Sequence, residues 1–302
     1  MEVKEVVFGK NGDKIRNVFH YTSPEGLYSI LSNCSFRFTD CQFFNDRSEY
    51  VYIKEPLKCA INDILGSLKN NNLIESVDKW LNEEYQVLEK KVNVAQRSYV
   101  FCASMDDDSL NMWNYYVKSG KYQGYNIGIS IEKLIDYAKN INLPYAEMWH
   151  GAIIYDQDMQ NRIIVNMIKK IDNRLWNIKK EVSYTDYWYC HLQEAQTEIM
   201  ESIELYRLFF KAKAFENERE YRFVFRLPVG MENSEYFIPG FQVKNGVLSP
   251  YFDFVFAKNI LDSIIISPMI EEQIARRGIE LYINRDDYKN IDIRTSSIPI
   301  RY

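Results

Sequence analysis

The sequence predicts an α+β fold in which a β-rich core carries helical additions. Strand-like runs occur early, midway and late in the chain, and one long helical stretch separates them. Strands and helices do not alternate regularly, as they would in a doubly wound parallel sheet. Only 12 Gly and 8 Pro occur in 302 residues, and no Gly/Ser/Pro-rich linker divides them. We therefore expect a single domain over residues 1–302, with 158–212 as a helical insertion.

Local signals place the individual elements. A strand is predicted at 18–21, and the Ser-Pro-Glu run at 23–25 supplies an N-cap, a first-turn proline and an acidic first turn for a helix. Helical periodicity follows at 50–69, where Pro56 is expected to break or kink the helix, and at 74–95. The other predicted elements are strands at 97–104, 124–130, 149–155, 221–225, 261–267, 279–283 and 291–294, and helices from Ser109 and at 270–277.

Composition and charge exclude several classes of protein. With 37 basic and 42 acidic residues the net charge is −5, which disfavours broad, nonspecific binding to a nucleic-acid backbone. No run approaches the roughly 20 apolar residues of a membrane helix. The five cysteines form no CxxC pair, so neither a disulfide framework nor a zinc site is indicated. We expect a cytoplasmic protein without a membrane partner or a metal.

His20 is the first candidate for a functional residue. It ends a predicted strand and precedes Tyr21, Thr22 and the capped start of a helix. An imidazole, two hydroxyls and free helix N–H groups at one junction suit a ribose or a phosphate. The alternative is a structural histidine bonded to a neighbouring carbonyl. His150 and His191 have no metal-ligand spacing and are interpreted as structural or surface residues.

Two further clusters have a structural interpretation beside a functional one. Asn45 and Asp46 are turn formers, and Glu49 stands three residues after Asp46, as in a capping box. The second cluster follows Ser104 and is an aromatic helix. Its helical spacing favours packing in the core, although a dense aromatic group beside a strand end also suits the stacking of a flat base or nicotinamide ring. The residues concerned are Met112, Trp113, Tyr115 and Tyr116.

The fourth cluster is a Glu-x-Glu motif. Glu218, Glu220 and Arg222 would share one face of a strand, because side chains alternate with a period of two. An ion-pair ladder would explain this pattern structurally. The functional interpretation is that one carboxylate holds a ribose hydroxyl and stabilises an oxocarbenium-like cation as a glycosidic bond breaks.

The chain resembles a bacterial family known as domain of unknown function 2971. The matching pieces span nearly the whole chain in the expected order. They are His20-Tyr21-Thr22-Ser23, Phe44-Asn45-Asp46 with Glu49, Ser104, Met112-Trp113 with Tyr116, Glu218-Arg219-Glu220-Tyr221-Arg222, Ile264 to Pro268, and Ser297-Ile298-Pro299. The departures, Phe215, Ser267 and the ending Ile300-Arg301-Tyr302, concern packing more than the candidate site.

The order of these motifs is similar to that of ADP-ribosyltransferases. The resemblance implies a mixed or antiparallel split sheet and a reaction that consumes NAD. It implies that His20, with Tyr21 and Thr22, binds the adenosine-side ribose, and that Ser104, Trp113 or Tyr116 supports the nicotinamide. Glu220 would then stabilise the ribosyl cation, with Glu218 as the second catalytic carboxylate and Arg222 as a further ligand contact.

Three functions stay open at this point. The first is an NAD-consuming transferase or glycohydrolase, by analogy a toxin or a phage-defence effector, whose acceptor is a nucleic acid or a protein. The second is a nucleic-acid module in which aromatic side chains stack bases while Arg222 or Lys211 contacts phosphate. The third is a non-catalytic scaffold. Release of nicotinamide from NAD separates the first from the others.

Overall fold

The computed structural model describes residues 1–6, 15–43, 49, 51–70, 72–74, 77, 96–116, 123–181, 185–230, 233–244 and 246–299. These residues divide into two compact units. Unit 1 lies within Met1–Phe43, Arg97–Ala152 and Glu216–Tyr302, and unit 2 within Phe44–Gln96 and Ile153–Phe215. Among the described helices, none combines the length and the apolar character that a membrane span requires. That both units form one domain stays a prediction.

Unit 1 is built on a curled, mixed β-sheet. Its strands are β1 (Glu2–Glu5), β2 (Asn17–Thr22), β3 (Ser35–Asp40), β4 (Gln96–Ser104), β5 (Tyr125–Ser130), β6 (Glu147–Ala152), β7 (Glu220–Pro228), β8 (Phe237–Lys244), β9 (Val247–Val255), β10 (Leu261–Ile266) and β11 (Asp292–Thr295). The main path runs β1-β6-β7-β4-β2-β5-β10-β11, and β3, β9 and β8 branch from β4. The pairs β1–β6 and β10–β11 are parallel, while β2–β5, β6–β7 and β10–β5 are antiparallel.

The sheet opens between β2 and β4. On its other side β2 pairs with β5 along six residues, from Asn17 to Thr22. With β4, in contrast, the register holds the single pair Phe19↔Ser104. The two strands therefore separate beyond this pair, and the backbone groups that face the gap need partners other than a ladder.

Four α-helices are described in unit 1: α1 (Pro24–Asn33), α3 (Leu110–Tyr116), α4 (Ile131–Lys139) and α7 (Glu272–Arg285). α1 starts as predicted, because the Ser23 hydroxyl accepts a hydrogen bond from the Gly26 N–H at 3.1 Å. Helices α1, α4 and α7 contribute to a large buried core on one sheet face, which includes Leu31, Leu134, Ile279, Phe101 and Phe223. The other face carries a smaller cluster of Tyr21, Met112, Trp113 and Ile265.

Unit 2 contains α2 (Lys54–Ile64), α5 (Gln157–Glu181) and α6 (Thr185–Arg207). The predicted helical stretch 158–212 is thus helical over most of its length. One face of α5 is buried through Ile164, Ile168 and Ile171. The Asp172 carboxylate accepts hydrogen bonds from the backbone N–H groups of Lys69 and Asn70, at 2.9 and 3.0 Å.

Several predicted elements are wrong in type or position. The helix predicted at 50–69 is interrupted at Tyr52 and Ile53, and Pro56 lies in the first turn of the following α2, where its missing N–H is tolerated. The strand predicted at 279–283 belongs to α7, since Ile279 and Ile283 are one helical turn apart and both buried. Strands β1, β3, β8 and β9 and helix α4 have no counterpart among the predicted elements. Most of the helix predicted at 74–95 lies outside the described residues.

His150 is a structural residue of unit 1, in line with the interpretation from the sequence. It is 4% exposed, and its Nδ1 lies 2.7 Å from the Tyr221 hydroxyl on the neighbouring strand. Burial, with a smaller effect of the Lys139 charge, lowers the pKa of His150 from 6.5 to about 4. The ring is therefore neutral at pH 7.

We expect His150 to make the protein sensitive to acid. The folded pKa lies below the unfolded one, so the unfolded state binds more protons, and stability that is complete above pH 6.5 is lost as the pH falls towards 4. The loss is about 2–3 kcal/mol by pH 4.5. Urea unfolding at pH 7 and 4.5 checks it: His150→Asn should flatten the pH dependence and His191→Asn should not. An equal slope in wild type and His150→Asn would contradict the assignment.

Candidate functional site

His20 lies in the opening of the sheet. Its Nδ1 is 3.3 Å from the carbonyl oxygen of Cys102 on β4, and its ring packs on Phe101 with 4.8 Å between ring centroids. Burial lowers the pKa of His20 to about 4, although the bond to Cys102 raises it. Since a carbonyl oxygen only accepts, the neutral ring carries its proton on Nδ1, and Nε2 is left as a hydrogen-bond acceptor. The hydrogen bond from Nδ1 to Cys102 thus agrees with a structural role for His20, while Nε2 can accept a hydrogen bond from a ligand hydroxyl.

Tyr21 is part of the scaffold. Its hydroxyl donates to the carbonyl oxygen of Asp106 at 3.0 Å and accepts from the N–H of Ser109 at 2.9 Å. Burial raises the pKa of Tyr21, so the phenol stays protonated. Its ring packs edge-on against Trp113, with 4.7 Å between the ring centroids. Tyr21 therefore fixes the loop that precedes α3.

The aromatic helix α3 is divided between core and surface. Trp113 is fully buried, and its Nε1 donates to the Asp108 carboxylate at 2.8 Å. Tyr115 and Tyr116 are 62% and 42% exposed. Of the aromatic candidates on α3, the two tyrosines are therefore accessible to a ligand, and Trp113 is a packing residue.

Asp108 was not singled out from the sequence, although it anchors this region. Besides Trp113, its carboxylate accepts from the hydroxyls of Ser296 and Ser297 at 2.6 and 3.0 Å and from the Ser297 N–H at 2.7 Å. Burial alone would raise the pKa of Asp108, but these hydrogen bonds outweigh it and lower the pKa. The Asp106-Asp107-Asp108 run predicts only a loop, and nothing in it indicates the bonds to residues nearly 190 positions later.

Ser104 joins the end of β4 to the Glu-x-Glu segment. Its fully buried hydroxyl donates to the Glu218 carbonyl oxygen at 2.8 Å and accepts from the Asp106 N–H at 3.1 Å. The Met105 N–H donates to the Arg219 carbonyl at 2.8 Å. The hydroxyl of Ser104 thus holds two backbone segments together.

Glu218 does not share a strand face with Glu220. It lies in a 3₁₀ helix, Lys213–Glu218, and the next residue, Arg219, has a left-handed backbone with φ 41°. β7 begins only at Glu220, so the strand alternation applies to Glu220 and Arg222 alone. The expected three-residue ladder is therefore a two-residue pair.

Glu220 and Arg222 form a buried ion pair. The Arg222 Nε and a terminal guanidinium nitrogen donate to the two Glu220 oxygens at 2.6 and 3.1 Å. Glu220 is 5% exposed and Arg222 1%. A bidentate pair at these distances compensates each charge within the sheet, where water does not reach either group freely.

The described contacts do not bring His20 and Glu220 together. His20 rests on Phe101, which belongs to the core on the Phe223 face of the sheet. Because β7 alternates, Glu220 and Arg222 point away from Phe223, towards the opposite face. Tyr21 and Trp113 also lie opposite that core, in the smaller cluster. Thr22 ends β2 on the same side of the strand as His20.

Two expectations have a more limited outcome. The Phe44-Asn45-Asp46 segment lies outside the described residues. Among the residues that are described, no group of three His, Cys, Asp or Glu side chains is placed to hold a metal ion.

Fold and site together define a mixed α/β protein with a curled, mixed sheet that opens beside a neutral histidine. A family model described as "Protein of unknown function (DUF2971)" matches residues 112–223, which include most of α3 and the Glu-x-Glu segment. The match supports the family resemblance seen in the sequence. No curated protein and no solved structure matches the chain.

Proposed function

We propose that unit 1 binds NAD and breaks its nicotinamide–ribose bond, as an ADP-ribosyltransferase-like transferase or glycohydrolase. The observation that carries the proposal is the opening of the sheet between β2 and β4 with His20 inside it. A split sheet with a histidine on an early strand is what the resemblance to ADP-ribosyltransferases implies. The acceptor, a nucleic acid, a protein or water, is left to experiment.

The chemistry of His20 supports this function. A neutral ring whose Nδ1 is held by Cys102 presents Nε2 in a fixed direction, and Nε2 can accept a hydrogen bond from a ribose hydroxyl. The site needs no rearrangement of the histidine before it binds, which lowers the entropic cost of binding. Tyr116 fits the nicotinamide side better than Ser104 or Trp113, because its ring is exposed, whereas the side chains of Ser104 and Trp113 are buried.

A carboxylate must stabilise the ribosyl cation, and the two candidates differ. Glu220 points to the sheet face opposite the one on which His20 packs, and Arg222 partly neutralises the charge that a developing cation would meet. Glu218 precedes β7, and its carbonyl oxygen accepts a hydrogen bond from the Ser104 hydroxyl. Each therefore needs its own test, in which NAD cleavage and stability are measured on the same sample.

The direct test is release of nicotinamide from NAD by the purified protein, alone and with added DNA, RNA or total protein. We expect release above a heat-denatured blank. Absence of release in all four conditions, with no NAD binding by calorimetry, would overturn the proposal. Binding of NAD without release would instead support a non-catalytic module.

We expect His20→Ala to raise the KM for NAD by about 10-fold with a smaller change in kcat, since it removes one hydrogen bond to bound substrate. His191→Ala is the matched control, because that histidine lies on α6 of unit 2 and contacts Glu194. Thermal melting of both variants separates a binding defect from unfolding. An unchanged KM in folded His20→Ala would remove His20 from the site.

A further inference from the structure

The exposed surface of α5 is basic along most of its length. Between Asp158 and Glu181 the one acidic residue is Asp172, and its carboxylate is buried and accepts hydrogen bonds from two backbone N–H groups. An exposed helix more often mixes both signs of charge, as α7 does in its Glu272–Arg276 pair. On α5 the exposed positions of this stretch instead carry six basic side chains: Arg162, Lys169, Lys170, Arg174, Lys179 and Lys180.

The charges of unit 2 are separated between its two long helices. α5 has six basic and three acidic residues, a net charge of +3, whereas α6 has one basic and five acidic residues, a net charge of −4. Arg174 on α5 forms an ion pair with Glu198 on α6, so one of the six cations is engaged where the two helices meet. The basic surface is therefore a local feature of one helix in a chain whose net charge is −5.

Two tryptophan rings orient the charges near the end of α5. The Lys179 Nζ lies 5.2 Å from the ring centroid of Trp188 and 6.0 Å from that of Trp176. The Lys180 Nζ lies 5.7 Å from the Trp176 ring centroid. A cation–π contact holds an ammonium group in place without removing its charge. Both lysines can therefore still attract an anion.

Arg162, Lys169 and Lys180 lie on one line along α5. Separations of 7 and 11 residues return to the same side of a helix within about 20°. Asn173 lies on this line as well, and its Oδ1 accepts a hydrogen bond from Lys69 Nζ at 2.9 Å, which brings a further cation to the same side. From Arg162 to Lys180 the line is about 27 Å long.

We propose that this face of α5 binds the phosphodiester backbone of a nucleic acid. A row of cations about 27 Å long matches a polyanion that carries a phosphate every 3.4 Å or so along each strand. An anionic membrane fits less well, because an interfacial helix inserts its apolar face into the lipid, whereas Ile164, Ile168 and Ile171 of α5 are buried within unit 2. This binding is separate from the NAD reaction proposed for unit 1.

The test is fluorescence anisotropy of labelled single-stranded RNA, single-stranded DNA and duplex DNA, without NAD. We expect the wild type to bind at least one of them at about 50 mM salt, with an affinity that falls linearly with salt on logarithmic axes. A triple variant should bind about 10-fold or more weakly, and its salt slope should be smaller by about 2–3. It combines Lys169→Gln, Lys170→Gln and Lys180→Gln, and glutamine matches lysine in helix propensity.

A second triple variant is the matched control for net charge. Like the α5 variant, it changes the net charge from −5 to −8, but its three substitutions are at exposed positions of unit 1, so it should bind as the wild type does. It combines Lys139→Gln, Arg277→Gln and Lys289→Gln. Thermal melting checks that both variants are folded. Nicotinamide release by the α5 variant, measured without nucleic acid, should equal that of the wild type, so the two proposals are tested separately.

Three results would overturn the proposal. The first is a folded wild type that binds none of the three nucleic acids. The second is an equal loss of binding in the two triple variants, because the effect would then come from net charge and not from α5. The third is equally tight binding of polyglutamate or of phosphatidylserine vesicles, because the partner would then be an acidic peptide or a membrane.

Discussion

Replacing Glu220 by Gln is expected to lower the free energy of unfolding by about 3–5 kcal/mol, the cost of breaking a buried ion pair from one side. Arg222 is 1% exposed, and after the substitution its positive charge would stay in the sheet without its bidentate partner. Glu220→Gln preserves the size of the side chain, so the loss of unfolding free energy measures the effect of removing the charge. Urea unfolding at pH 7 measures it.

A double variant and an exposed pair control this result. Glu220→Gln combined with Arg222→Met should recover much of the loss, because the guanidinium charge is removed together with the carboxylate that it binds. Glu272→Gln, in the exposed pair with Arg276 on α7, should leave the stability close to that of wild type. If Glu220→Gln instead melts like wild type and loses 10²–10³-fold in nicotinamide release, the carboxylate acts on the ribosyl cation and not on Arg222.

The second large effect is expected at Trp113. Trp113→Ala should cost about 3–5 kcal/mol, because it empties a fully enclosed site between Tyr21 and Ile265. The same substitution frees the Asp108 carboxylate from one of its donors. Thermal and urea unfolding both measure the loss.

Two variants of α3 divide this effect into its parts. Trp113→Phe keeps most of the packing and loses only the Nε1 hydrogen bond, for about 1 kcal/mol. Leu110→Ala, at an exposed position of the same helix, should stay within about 0.5 kcal/mol of wild type. A Trp113→Ala protein with wild-type stability and impaired NAD binding would make Trp113 a stacking platform after all.

Local signals in the sequence were sufficient for the centre of unit 1. Ser23, Pro24 and the β-branched and aromatic runs around His20 and Phe101 predicted β2, α1 and β4 close to their observed bounds. Such signals depend only on residues that are close together in the sequence, so they predict these elements without knowledge of the tertiary contacts. The period-two argument succeeded for Glu220 and Arg222, whose pairing needs nothing beyond one strand.

Long-range features could not be predicted in the same way. The backbone turn at Arg219, which removes Glu218 from the strand, reflects bonds from Ser104 and Met105 more than 100 residues earlier. The segment predicted as a strand at 279–283 is part of α7. Ile279 and Ile283 are buried one helical turn apart, and in the sequence alone a short apolar run fits a helix as well as a strand. The side of the sheet on which His20 lies is likewise set by its partners and not by its neighbours in sequence.

The anchor at Asp108 has a consequence for how the chain emerges from the ribosome. Asp108 and Trp113 are synthesised long before Ser296 and Ser297, which lie 188 and 189 residues after Asp108. Until those serines leave the exit tunnel, the carboxylate lacks three of its four hydrogen bonds, and Ile298 cannot cover the Tyr21–Trp113 cluster. Contacts this distant in sequence close slowly. A nascent chain stalled before residue 296 therefore leaves the Tyr21–Trp113 cluster without the cover of Ile298 and without the Asp108 anchor.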